Sequence, residues 1–370
     1  MKVNFDRVLG QMDAKKILGA IVENQRLSKA YIFNGPEGVG KDALAIEFAK
    51  AVNCLNSDGE VPCQRCANCR PIGALVHPDF RVVYPASAKD LQKEGAQRLE
   101  KKAKDPYFPL AKNALAKILI DNMREIKQFV SLRIHSARHR VVLISEADRM
   151  NEAASNSILK LLEEPPPQTI FILTTSRINR LLPTIVSRCQ VVNFAPLQAG
   201  EIQMELERRG VEPEQARVVS RLAEGSFRKA MILLQEDYNA LRNLAYRALQ
   251  LAATGSVVQQ LDFVETLSSG KNKSLVKDFL LLALLFLRDV YFFHQLRFEN
   301  PDWDEVLTNF DRKEDLEKLA ILLEDKDVAE AISKTEKLID LVDKNIYINL
   351  ILIDFMNLFR HLPEGLSPDF

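Results

Sequence analysis

The sequence predicts an α/β domain built on a parallel sheet, followed by an all-helical C-terminal part. A phosphate-binding loop signature at residues 35–42 stands between an apolar run of strand length and a helical pattern. Further apolar runs at 140–144 and 169–174 alternate with helical patterns over about the first 190 residues, as in sheets buried on both faces. Beyond Pro196 no further run reads convincingly as a strand, and amphipathic patterns continue to the C-terminus.

The first strand, Ala30–Phe33, leads into Gly35-Pro36-Glu37-Gly38-Val39-Gly40-Lys41-Asp42. This fits G-x-x-x-x-G-K-[ST] everywhere except the last position. In that motif the glycine-rich backbone wraps phosphates, the lysine reaches the β and γ oxygens, and the hydroxyl holds Mg²⁺. Here the cradle and Lys41 are present while Asp42 replaces the hydroxyl residue. A carboxylate beside phosphate repels it unless a cation intervenes. The helix that the motif requires follows, with Leu44, Ile46, Phe48 and Ala49 at helical spacing.

Cys54, Cys63, Cys66 and Cys69 come next, spaced C-x8-C-x2-C-x2-C. Four thiolates at such spacing close a tetrahedral Zn²⁺ site with no open position, which is a structural site rather than a catalytic one. A pair of disulfides is the alternative, and a reducing compartment disfavours it. Arg65 and Arg70 within the knuckle read as a solvated face, with a nucleic-acid or partner contact as the second reading. After a strand that stops at Val82-Val83-Tyr84-Pro85, residues 87–117 carry eight Lys/Arg against four Asp/Glu around Tyr107, Phe108 and Pro109. This segment reads as a mobile surface insertion, a loop or helical arm, ahead of a DNA- or partner-touching one.

A helix is expected over 118–132 from Ile126, Phe129, Val130 and Leu132, and then the strand Arg140–Ile144, which runs into Ser145-Glu146. In the NTPases that this loop resembles, the strand ends in Asp-Glu: the Asp holds Mg²⁺ and the Glu polarises the attacking water. Glu146 is kept, and Ser145 takes the metal-holding position. With both metal-holding positions altered, the octahedral geometry that Mg²⁺ demands is disfavoured. A swap, with Asp42 giving the carboxylate and Ser145 the hydroxyl, is the alternative. Asn151 caps a helix that ends at Pro165-Pro166-Pro167, and the strand Thr169–Thr174 follows. In the helical part, Leu281–Phe293 is apolar enough to be central to a bundle; Trp303 and Phe310 lie in a more polar connector, and 315–360 reads as two or three helices.

A chain of 370 residues should hold two or three domains. The 50 Lys+Arg balance the 50 Asp+Glu, so no overall field draws the chain to nucleic acid; such a contact must be local or made by a partner. The N-terminus has no apolar signal region, and the longest apolar block, Phe279–Leu287, falls well short of the ~20 residues of a membrane span, so a cytoplasmic location is expected.

Three further runs stand beside the cysteine insertion: Gly10-Gln11 ahead of a helix, Leu159-Lys160-Leu161-Leu162-Glu163-Glu164-Pro165-Pro166, and Leu182-Pro183-Thr184-Ile185-Val186-Ser187-Arg188-Cys189. Together they resemble the bacterial DNA polymerase III clamp-loader subunits of the AAA+ class, closely over 1–235 and only in kind beyond. The altered positions 42 and 145 beside an intact Ser187-Arg188-Cys189 resemble the delta-prime branch. The ATP-hydrolysing motor branch (tau/gamma) carries Thr and Asp at those positions. Lys29 departs from the pattern, which often has His before Ala-Tyr, as does the 87–117 insertion.

The resemblance implies an AAA+ domain over 1–194 with the zinc insertion at 54–69, a helical lid over 195–237, and a helical collar over 238–370 that holds subunits in a ring. It implies that Arg188 is an arginine finger offered to ATP on a neighbouring subunit. Thr175 matches the first sensor and Arg228, in Gly225-Ser226-Phe227-Arg228, the second. Gly35, Gly38, Gly40, Lys41, Asp42 and Glu146 complete the nucleotide site, with binding of ATP or ADP left open and Mg²⁺ disfavoured. The implied partners are the motor subunits and the delta subunit, with the sliding clamp and primed DNA reached through the assembly. The competing readings are a self-sufficient clamp-loading ATPase that uses Asp42 and Ser145, and a zinc-dependent nucleic-acid-binding module.

Overall fold

The central sheet of the computed structural model is made of the strands that the sequence marks as buried. The structure describes residues 2–56, 59–112, 116–235, 238–269, 273–299, 301–344 and 346–359. They fall into two compact units, one up to residue 231 and one from residue 232 onward.

In chain order the first unit runs β1 (Lys2–Val3), α1 (Met12–Glu23), β2 (Ala30–Asn34), α2 (Lys41–Val52), β3 (Glu60–Val61), α3 (Cys69–Gly73), β4 (Phe80–Val83), α4 (Ala88–Lys104), α5 (Ile120–Ser131), β5 (Arg140–Ile144), α6 (Glu152–Glu163), β6 (Thr169–Thr175), α7 (Pro183–Val186), β7 (Gln190–Asn193), α8 (Ala199–Arg208), α9 (Pro213–Leu222) and the first half of α10 (Phe227–Gln235), whose residues from 232 onward are counted in the second unit. Five strands form one parallel sheet in the order β4-β5-β6-β2-β7. β6, buried at every position, lies at its centre, with Ile172 opposite both Tyr31 and Leu143. Helices α5 and α6 close one face through Met123, Ile126, Val130, Ala154 and Ile158, which pack with Ile32, Val142, Ile144 and Phe171.

The carboxyl ends of β2, β5 and β6 therefore meet on one rim. The phosphate loop follows β2 there, Ser145 and Glu146 follow β5, and Thr174 and Thr175 end β6. Such a rim is where ligands bind in open parallel sheets. Asn151 caps α6 as expected, its side chain accepting from the N–H of Ala154.

Two features differ from expectation. The edge strand β7 was not foreseen, because only Val192 in Gln190–Asn193 is buried and the run lacks an apolar signature. The 87–117 segment is not a mobile surface insertion over its described residues. It forms α4 and a return stretch in which Lys102, Tyr107, Leu110 and Ala111 are buried; residues 113–115 lie outside the described residues.

Among its described residues the second unit is helical: α11 (Tyr238–Thr254), α12 (Val257–Ser268), α13 (Lys273–Leu296), α14 (Trp303–Val306), α15 (Lys313–Leu322), α16 (Val328–Asp343) and α17 (Ile348–Met356). As the apolar run predicts, α13 is central: Phe279, Leu280, Ala283, Phe286, Leu287 and Val290 are all fully buried. Phe279 meets Phe355 edge-on at 5.3 Å. Arg242, 2% exposed, is held by Asn309 and by a 2.7 Å pair with Asp311. Among the described residues no helix is long and apolar enough to cross a membrane.

Candidate functional site

The phosphate loop turns tightly between β2 and α2, with Gly38 and Gly40 at φ +76° and +98°, where side chains are strained. Both glycines are also approached closely. A Cβ on Gly38 would lie 2.1 Å from Ser226 Oγ and 2.6 Å from Arg228 Cβ, and one on Gly40 would lie 3.2 Å from the Tyr107 ring and hydroxyl. The segment that starts α10 and the segment after α4 thus both rest on the loop.

Lys41 is buried and turned back on its own loop. Its ammonium donates to the carbonyl of Gly35 at 2.6 Å and to that of Pro36. Burial pushes its pKa down, against the opposing pull of Asp42 and Glu37. Asp42 Oδ2 accepts from Ser145 Oγ at 2.8 Å and pairs with Lys102 Nζ at 3.0 Å, while Oδ1 accepts from Thr174 Oγ1 at 2.8 Å. Burial pushes the Asp42 pKa up, but the Lys102 ammonium and the two hydroxyls outweigh it and hold the carboxyl below its usual range.

Glu146, in a left-handed conformation at φ 52°, pairs with Arg149 at 3.0 Å, and Arg228 stands 3.9 Å from both Glu146 and Glu37. Burial raises the Glu146 pKa. Of the two threonines that end β6, Thr174 faces Asp42, whereas Thr175 donates to Asp148 at 2.8 Å. The alternation of a strand sends these neighbours to opposite sides.

The site residues named from sequence thus come together around one pocket, with Gly38, Gly40, Lys41, Asp42, Glu146, Thr175 and Arg228 in its lining and Gly35 at the start of the loop. Lys102, Tyr107 and Thr174 share that lining and were missed. Thr174 was legible as the alternate hydroxyl at the strand end. Lys102 and Tyr107 had no local signal, because their place depends on how α4 packs. The pocket encloses about 60 Å³, far below the roughly 300–1,000 Å³ of small-molecule sites.

Arg188 is absent from that lining. It follows α7 with its side chain 35% exposed, 2.7 Å from Glu163 Oε1, and donates to the Thr184 carbonyl at 2.8 Å.

The four cysteine sulfurs all lie within 4.8 Å of one another, and none is in a disulfide. Four thiolates around one Zn²⁺, at about 2.3 Å each, would stand about 3.8 Å apart, so this donor set fits the ion. The backbone N–H of Cys63 donates to Cys54 Sγ at 3.4 Å and that of Cys69 to Cys66 Sγ at 3.3 Å. Such bonds stabilise thiolates. The knuckle is fixed to α2 by a buried Glu47–Lys50 pair at 2.6 Å, shared with Gln64, and by Asn68 donating to the Asn53 carbonyl at 2.9 Å. Arg65 and Arg70 are exposed.

With this geometry the chain can be set beside known proteins. A family profile described as "DNA polymerase III, delta subunit" matches residues 10–198, about half of the sequence. The chain belongs to that family. Relatives named "DNA polymerase III subunit delta'" make it a delta'-type member. That of Bacillus subtilis (strain 168) is 34% identical over 207 residues, covering 56% of this chain and 54% of the relative. That of Pseudomonas aeruginosa PAO1 is 32% identical over 193 residues, covering 52% and 51%. The B. subtilis protein named "DNA polymerase III subunit tau" is 29% identical over 261 residues, covering 69% of this chain and 41% of that one. The chain therefore spans about half the length of the curated relatives it matches. Among solved structures, the "DNA polymerase III, gamma subunit-related protein" of Thermotoga maritima covers 93% of this chain at 15% identity, with a TM-score of 0.43, too low for a structural argument.

For this delta'-type chain the matched stretch contains the phosphate loop, the four cysteines, Ser145, Glu146 and Arg188. Arg228 and the second unit lie outside it.

Proposed function

We propose that the chain is the delta'-type subunit of a replicative clamp loader, with a nucleotide site that does not hydrolyse ATP and an arginine finger, Arg188, that serves a neighbouring ATPase subunit. The observation that carries this reading is the state of Asp42. The two positions that would hold Mg²⁺ in a working loop, 42 and 145, are bonded to each other, and the carboxylate also accepts from Thr174 and pairs with Lys102. A metal would have to displace an ammonium that is 4% exposed. Lys41, the group that would meet the phosphates, is occupied by loop carbonyls. The alternative, a tau/gamma-type motor that uses the Asp42/Ser145 pair, needs both bonds to open.

Arg188 supports the division of labour. It stands off its own pocket, restrained by a half-exposed pair to Glu163 and a bond to the Thr184 carbonyl. A guanidinium delivered to another subunit's nucleotide stabilises the charge that spreads over the γ-phosphate, worth about 10³–10⁵ in rate in arginine-finger systems. The four cysteines would hold a structural Zn²⁺, which closes the knuckle against α2 and takes no part in chemistry. The partners on this reading are motor and delta subunits, with the sliding clamp and primed DNA engaged through the assembly.

The test is ATP hydrolysis by the chain alone, and then with motor and delta subunits, clamp and primed DNA, comparing wild type with Arg188→Ala. The reading expects no turnover alone and a fall in the assembly on losing Arg188. Robust turnover by the isolated chain that Lys41→Ala abolishes and Arg188→Ala spares would make it a motor instead.

A further inference from the structure

Polar residues in the second half of α4 and just after it account for why the pocket is so small. Lys102, near the end of α4, sends its ammonium to Asp42 at 3.0 Å and donates to the Phe108 carbonyl at 3.0 Å. Arg98, one turn earlier, clasps the returning chain by donating to the carbonyls of Pro109, Leu110 and Ala111 at 2.7–3.1 Å. Tyr107, at the turn between them, accepts from the N–H of Leu9 at 2.8 Å, meets the Phe227 ring edge-on at 4.9 Å, and covers Gly40. The root of the arm is fixed apart from this, where Leu91, Leu99 and Leu110 pack on Tyr84 and Ala86 beside β4. The arm thus has its own small core, a backbone clasp, and a charged tip in the phosphate site.

In a nucleotide-loaded loop two cations stand here, the loop lysine on phosphate and Mg²⁺ on the residue after it. In this chain both places are served from within: Lys41 lies on loop carbonyls and Lys102 lies on Asp42. The charge at position 42 and the charge at position 102 balance one another, so the substitution that disables the metal position also creates the socket for the arm.

We propose that residues 88–112 are a plug in cis, in which the Lys102 ammonium stands where a divalent cation would and Tyr107 covers the loop at Gly40, so that the site is held shut against nucleotide. This rests on the reading of a non-hydrolysing site and adds what keeps that site closed.

The experiment is calorimetric titration of the full chain with ADP and with ATP, each with Mg²⁺ and with EDTA. The proteins are wild type, Asp42→Thr with the arm intact, and a triple variant that adds Lys102→Met and Tyr107→Ala. Wild type is expected to show no saturable binding into the millimolar range, and Asp42→Thr, which loses the socket but keeps Tyr107 over the loop, to bind more weakly than the triple variant. The triple variant is expected to bind ADP–Mg²⁺ at least about tenfold more tightly, a gap of about 1.4 kcal/mol. If circular dichroism shows the triple variant unfolded, the pair Asp42→Asn/Lys102→Met, which removes both charges together, replaces it. Binding by wild type or by Asp42→Thr as tight as by the opened variant overturns the plug, as does a folded opened variant that binds no better than wild type. Neither of those results touches Arg188, and an assembly indifferent to Arg188→Ala would sink the trans-finger reading while leaving the plug standing.

Discussion

Arg188→Ala offers the sharpest separation of a residue that acts in trans from one that merely stabilises its own surface. The guanidinium is 35% exposed, and its partner Glu163 is 47% exposed. Exposed pairs contribute about 0.2–1 kcal/mol, so the chain's own stability should change by no more than about 1 kcal/mol when the pair is lost. The same arithmetic sets the cost of parting Arg188 from Glu163 to reach a neighbour: about 1 kcal/mol corresponds to a factor of about five. Glu163→Gln should therefore alter turnover less than about fivefold, whereas Arg188→Ala should reduce it at the abutting site by about 10³ or more. Arg188→Lys should rescue little, because an ammonium cannot reproduce the planar fork. The assay is single-turnover ATP hydrolysis in an assembly whose one intact phosphate loop is that of the abutting subunit, read beside thermal melts of the isolated chain. Equal turnover by Arg188→Ala and wild type in a properly formed assembly would refute the argument. So would a melt lowered by far more than the exposed pair and the bond to the Thr184 carbonyl allow.

Other perturbations test the scaffold. Asp79 is 2% exposed and accepts from the N–H groups of His135, Ser136 and Ala137 at 2.9–3.1 Å, so it fixes the turn that leads into β5. Asp79→Ala removes the buried carboxylate that three backbone N–H groups share and should cost about 1.5–3 kcal/mol in denaturant unfolding; a loss under about 1 kcal/mol would contradict the accounting. The folded-state pKa of Asp42 is depressed, so its contribution to stability is fully present above about pH 4 and fades as pH falls through the folded value. The stability gap between wild type and Asp42→Asn should therefore narrow in acid, and a gap that widens below about pH 4 would show the sign to be wrong. Metal analysis of chain purified under reducing conditions should find about one zinc per chain, lost in Cys63→Ser. Chelation should lower the melting temperature, and a disulfide among the four cysteines detected by mass spectrometry would count against the site.

Local chemistry was legible in the sequence by itself. Strands buried on both faces announce themselves as unbroken apolar runs, and β2, β5 and β6 lie where Ala30, Arg140 and Thr169 begin such runs. The glycine spacing, Lys41, the altered positions 42 and 145, the cysteine spacing and the Asn151 cap are all encoded within a few residues of chain. Edge strand β7 escaped because one buried residue in four makes no period. Only the tertiary structure decided which hydroxyl of the Thr174–Thr175 pair faces Asp42, since one strand sends neighbours to opposite sides and the register picks between them. Only the tertiary structure brought Lys102 to Asp42 as well. A charge-balanced pair between a loop and a distant helix leaves no periodic trace, because its energy comes from desolvation and Coulomb attraction that exist only once the arm has folded back.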